Sequence, residues 1–131
     1  MQNTFRVSFS LKKHEILRSK KNIEELFKSG SSFFLYPYKV FFLPNPSTEN
    51  NQLLFSVSKK NFRRAVDRNL LRRRIREAYR LNKSILDSDE KDSLSLSIAL
   101  IYISKFKLPF TDIENKLKQV LVRLNKTKYQ K

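Results

Sequence analysis

The sequence has no cysteine, one glycine, one histidine and few acidic residues, and each shortage removes a class of function. Without cysteine there is no disulfide framework, no thiolate nucleophile and no cysteine-based zinc site. With Gly30 as the only glycine, a glycine-rich phosphate-cradling loop is ruled out. The lone His14 lies in a polar stretch with no second ligand at metal-binding spacing. Ser56 and Ser58 have no neighbouring base to activate them. Asp87, Asp89, Glu90 and Asp92 could in principle coordinate Mg²⁺, but a solvated loop explains them more simply. No metal site is therefore assigned to the chain. Long apolar runs are missing too. The most apolar stretch, Phe33 to Leu43, is broken by Pro37 and Lys39 and falls short of the roughly 20 residues a membrane helix needs. The N-terminus lacks the apolar core of a signal peptide. The expectation is a soluble, cytoplasmic protein with no membrane partner, no organic cofactor and no self-contained active site. If the chain serves an enzyme, another component carries the chemistry.

What is present is aromatic and basic. Eleven Phe and five Tyr supply apolar surface, and 131 residues suit a single domain over 1–131. Residues 1–21 read as an irregular basic arm. Asn22-Ile-Glu-Glu25 has the form of a capping box, opening a helix over about 22–29. Gly30 then stands where a helix often ends in a left-handed residue. Pro37 divides Phe33 to Leu43 into two short strands. The polar run from Pro44 to Asn51 most simply joins an antiparallel pair, whose next strand is Leu53 to Ser58. Ala65 to Asn82 has helical periodicity, 83–95 is a polar loop, and Leu96 to Ile103 is a strand. Thr111-Asp-Ile-Glu114 resembles a second capping box. Ile113, Leu117, Val120, Leu121 and Leu124 then share one helical face, and the tail 125–131 frays. This order predicts an α+β sandwich, with helices packed on one small, mainly antiparallel sheet.

The charge is focused. Lys59 to Arg80 carries ten basic residues against Asp67 and Glu77, which is half of the chain's net +16. On a helical projection Leu71, Ile75, Ala78 and Tyr79 cluster on one side. Asn69, Arg72, Arg73, Arg76 and Arg80 gather opposite, and Arg68 and Arg74 lie at the borders. A solvated helix face normally interleaves acidic partners. Here Arg72, Arg76 and Arg80 repeat one sign at a spacing that destabilises an isolated helix. A polyanion relieves that repulsion, and the planar guanidinium fork suits phosphate. Nucleic acid is the favoured partner, ahead of an anionic membrane surface.

Ser56-Val-Ser-Lys-Lys60, followed by Ala65-Val66, Arg68-Asn69 and Arg72-Arg-Arg-Ile-Arg76, resembles the signature of the bacterial ribonuclease P protein component. Lys20 to Gly30 is similar to that family's first helix. The chain departs from the pattern at Leu70, where Arg is usual. It departs again in the turn Asn61-Phe-Arg-Arg64, which lacks glycine, and at Ile23, where an aromatic is common. The resemblance implies an αβββαβα fold with a left-handed crossover around the Arg-rich helix. It implies two partners, a catalytic RNA and precursor tRNA, with Mg²⁺ acting through the RNA subunit to release the 5′ leader. It further implies that Lys59, Lys60, Arg64, Arg68, Asn69, Arg72, Arg73, Arg76 and Arg80 face the catalytic RNA. Phe27 and Ile23, with Tyr38, Val40 and Phe42 from one strand face, would hold the leader. The alternative, a ribosomal or other structural RNA-binding protein, shares the charge but not the Ser-Lys-Lys to Arg-Asn linkage. A DNA partner is not expected, because the Arg-rich helix has no closely connected helix-turn-helix mate.

Overall fold

The computed structural model describes residues 11–86 and 95–128. The chain runs α1 (Lys20–Ser29), β1 (Ser31–Leu35), β2 (Tyr38–Pro44), β3 (Gln52–Val57), α2 (Ala65–Asn82), β4 (Leu96–Tyr102) and α3 (Phe110–Lys128). The αβββαβα order and the α+β class are as expected. The strands form one sheet in the order β1-β2-β4-β3. β1 and β2 are an antiparallel hairpin turning at Tyr36-Pro37. β2 runs antiparallel to β4, while β3 and β4 are parallel neighbours.

The expected pairing of β2 with β3 across Pro44 to Asn51 does not occur, because β4 lies between them. The composition of β4 explains its place. Leu96-Ser-Ile-Ala-Leu-Ile-Tyr102 is apolar at both parities, and all but Ile101 are buried. A strand covered on both faces belongs in the middle of a sheet. Two asparagines of the preceding connection fasten to the start of β4. Asn51 Oδ1 accepts the Leu96 amide at 2.9 Å, and Asn45 Nδ2 donates to Ser97 Oγ at 3.2 Å.

The sheet has two different faces. Tyr38 and Val40 of β2, Ile98, Leu100 and Tyr102 of β4, and Leu53 and Val57 of β3 pack against α2 and α3. Helix α2 contributes Leu71, Ile75, Ala78 and Tyr79, the four residues its periodicity placed inward. Burying each large apolar side chain stabilises the fold by about 1.5–3 kcal/mol. Among the described residues, the opposite face is covered by α1 and the segment before it. Leu17, Leu26 and Ala99 form a small second core there, with Ile23, Phe41, Leu43 and Leu54 packed around it.

Several local expectations change. Helix α1 begins at Lys20, because Ser19 Oγ accepts the Asn22 amide at 3.2 Å; Asn22 lies in the first turn rather than capping it. Gly30 has φ −75°, so it is not left-handed. Glycine is needed there for closeness instead. A Cβ would lie 2.3 Å from the Leu26 carbonyl oxygen and 3.0 Å from that of Phe42. Helix α3 starts at Phe110 with the Pro109 carbonyl accepting the Asp112 and Ile113 amides. Glu114 does not close a capping box but accepts from Asn82 Nδ2 at 2.9 Å. The end of the basic arm, a single 3-10 turn in otherwise irregular chain, is anchored. Ile16 bridges in parallel to Leu53, the Leu17 amide donates to the Leu53 carbonyl at 2.9 Å, and Glu15 meets Lys83 at 3.0 Å. Helix α3 continues through Lys128, beyond the point where fraying was expected. Residues 1–10, the acidic segment 87–92 and the last three residues lie outside the described residues.

Candidate nucleic-acid interface

The turn before α2 is built by its own side chains. Ser58 Oγ accepts the Lys60 amide at 3.1 Å, and Phe62 is buried against the Tyr102 ring. Arg68 reaches back along the turn and donates to the carbonyls of Phe62 and Arg63 at 2.9 and 2.8 Å. An aromatic plug and an arginine clasp thus shape a turn that lacks glycine. Lys59, Lys60 and Arg64 stand exposed on it.

The arginines of α2 divide into two groups. Arg74 donates to the Leu108 carbonyl at 2.7 Å, tying α2 to the approach to α3. Arg80 pairs with Glu77 at 2.5 Å and holds that carboxyl below its usual range. With Arg68 turned toward the preceding turn, these three serve internal contacts. Arg73 and Arg76 are exposed and have no acidic partner among the described residues. Arg72 donates to Asn69 Oδ1, which fixes both side chains. Asn69, Arg72, Arg73 and Arg76 rim a groove of about 350 Å³ whose floor is Ile16, Leu53, Leu54 and Phe55. Charge and apolar surface meet there along the β3 edge.

The second surface lies on the α1 side of the sheet. Phe27 is 42 % exposed at the rim of α1, and Ile23 is half-buried beside the small second core. The expected strand partners are corrected. Tyr38 and Val40 are fully buried on the opposite face, and the Tyr38 hydroxyl donates to the Ile113 carbonyl at 2.9 Å. Burial pushes that phenol well above its ordinary value. Phe42 packs with the same core. Residues one position along face α1 instead, since side chains alternate across a strand and one step exchanges the faces. Phe41 meets Phe27 edge to face with centroids 4.9 Å apart. Lys39 follows on the same side, its ammonium 5.0 Å from the Phe41 ring centre. Lys39 was itself the available signal. It is the one charged residue in β2, so its parity marks the more open face.

Among the described residues, no three His, Asp or Glu side chains come together to hold a metal ion. No helix among them is long and apolar enough to cross a membrane.

A focused arginine face and a separate aromatic strip on a small, basic α+β framework are the chemistry of a nucleic-acid-binding class of protein. Residues 11–125 match the ribonuclease P protein family. The chain is 35% identical over 120 residues to the ribonuclease P protein component of Porphyromonas gingivalis, covering 89% of this chain and 88% of that one. It is 42% identical over 105 residues to that of Chlorobium phaeobacteroides, covering 72% of each. The solved ribonuclease P protein of Staphylococcus aureus superposes with a TM-score of 0.69 at 26% identity, over 84% of this chain and 94% of that one. The protein from Thermotoga maritima gives 0.69 at 27%, over 83% and 96%. The chain belongs to the bacterial ribonuclease P protein component family. Membership makes it a subunit of an endoribonuclease of tRNA processing, with an RNA partner.

Proposed function

We propose that the chain docks on the catalytic RNA of ribonuclease P through the Arg72, Arg73 and Arg76 face and the Lys59–Lys60 turn. The α1–β2 strip then holds the 5′ leader of precursor tRNA, assisting endonucleolytic removal of that leader. The carrying observation is the separation of two chemistries on one small sheet. Guanidinium groups rim the groove beside β3, while Phe27 and Phe41 pair beneath α1. Guanidinium rows suit a structured phosphate backbone, and exposed rings suit unstacked single-stranded bases. In this reading the RNA, with Mg²⁺, supplies the cleavage chemistry. The protein adds affinity for leader-bearing substrate and screens phosphate repulsion. The test is precursor-tRNA cleavage at low Mg²⁺ with protein alone, RNA alone and both together. The protein alone should be inert, the RNA alone slow, and the pair fast. Cleavage by rigorously purified protein alone, or no gain on adding it to the RNA, contradicts the proposal.

A further inference from the structure

Phe34 is unusual for a strand residue, with 65 % of its surface exposed. It lies on the edge strand β1, directly opposite Lys39 of β2, so the two share a sheet face. The Lys39 ammonium is 5.1 Å from the Phe34 ring centre and 5.0 Å from that of Phe41, within cation–π range of both. Phe41 in turn meets Phe27 at 4.9 Å. The aromatic strip therefore does not end at β2. It runs from the rim of α1 across β2 to the open edge of the sheet, with a cation between its last two rings.

We propose that Phe34 is an additional stacking position for the single-stranded leader, with Lys39 holding the phosphate that links the nucleotides on Phe41 and Phe34. This rests on the leader-binding reading of the α1–β2 strip and extends it. Three features favour RNA over a protein partner. The chain carries +16, the strip holds a cation between two flat rings, and a nucleic acid strand alternates flat apolar bases with anionic links. A protein surface would have to desolvate the Lys39 ammonium to cover both rings. Base stacking on aromatic rings tolerates any base, so the position would add affinity without sequence preference.

The test uses the assembled RNA–protein enzyme and precursor tRNAs carrying one abasic nucleotide at successive leader positions. In the unmodified enzyme, loss of a base that stacks on the strip weakens binding. Phe34→Ala should weaken binding of intact precursor about five- to tenfold and make the abasic change silent at one leader position. Phe41→Ala should silence a different one. Phe34→Trp should keep the wild-type pattern. Phe34→Leu should behave as Phe34→Ala in binding while melting like wild type, which separates a lost flat ring from a lost fold. Lys39→Gln should reduce the slope of log affinity against log salt by roughly 0.7, the value for one single-strand phosphate. If Phe41→Ala silences a position but Phe34→Ala and Phe34→Leu leave every penalty unchanged, the Phe34 position is wrong and the leader reading stands. If neither ring affects any position, the leader reading fails with it. Concentration-dependent self-association abolished by Phe34→Ala, with all abasic penalties intact, would assign the ring to a contact between copies and overturn the proposal.

Discussion

The rings of Phe27 and Phe41 meet edge to face, 4.9 Å between centroids, and this contact joins the rim of α1 to the middle of β2. The neighbouring Leu26 is fully buried, so α1 turns one flank to the sheet and leaves Phe27 at its margin. A ring packed along one edge and still 42 % exposed offers a surface on which a base can stack. The opposite parity of β2 has no such surface.

That difference yields the first prediction. Val40→Ala should cost about 2 kcal/mol of stability by opening a cavity between the sheet and the helices. Tyr38→Phe should cost about 1–3 kcal/mol, because the Ile113 carbonyl loses its donor. Neither should change the ratio of precursor to mature tRNA affinity in the folded, assembled enzyme. Denaturant titration and equilibrium binding check the two halves. An altered ratio at unchanged stability would return Tyr38 or Val40 to the leader surface.

The arginines of α2 should separate in the same manner. Arg74→Ala should lower stability by about 1.5–3 kcal/mol through loss of a charged hydrogen bond to Leu108. It should leave the salt dependence of RNA binding unchanged. Arg76→Ala should barely affect stability, and should make the slope of log affinity against log salt shallower by up to about one unit. Salt titrations of both variants with the catalytic RNA test this. Equal slopes for Arg76→Ala and wild type would mean that Arg76 touches no phosphate.

Glu15 and Lys83, each 13% exposed, fasten the end of the N-terminal arm to the chain just after α2. Burial alone would raise the Glu15 carboxyl. The Lys12 amide and the Lys83 ammonium outweigh it and hold the group below its ordinary value. A carboxyl more acidic in the folded than in the unfolded chain adds stability in full above its unfolded value, about 4.3. That stability is lost as pH falls through the lower folded value. Glu15→Gln should therefore lower stability by about 1–2 kcal/mol near neutral pH, and the deficit should vanish on acidification below the folded value. A deficit constant across that range would show that the carboxylate charge is not what matters.

How far the sequence can be read depends on contrast between faces. In α2 the contrast is large: Leu71, Ile75, Ala78 and Tyr79 alternate with arginines, and all four are buried as the period requires. In β2 it is small. The sheet is covered on both sides, so Tyr38, Val40 and Phe42 look much like Phe41 and Leu43, and Lys39 alone breaks the symmetry. The placement of β4 between β2 and β3 depends on pairing between distant segments, which local turn residues such as Pro44 and Asn45 do not encode. The doubly apolar pattern of Leu96 to Tyr102 was the legible clue to a central strand. Ser19 caps α1 in place of Asn22, so Lys20, Lys21 and Asn22 form the first turn; periodicity does not choose between neighbouring cap residues.

The division of labour between the two surfaces is tested most directly by a crossed binding measurement on Phe41→Ala and on Arg72→Ala combined with Arg76→Ala. For each, the affinity of the protein for the catalytic RNA is measured beside the preference of the saturated complex for precursor over mature tRNA. Phe41→Ala should lose about 1–3 kcal/mol of that preference with assembly unchanged. The double arginine variant should assemble more weakly, yet keep the preference once saturated with protein. If either variant reduces assembly and leader preference by the same factor, the two surfaces are not separate and the proposed division is wrong.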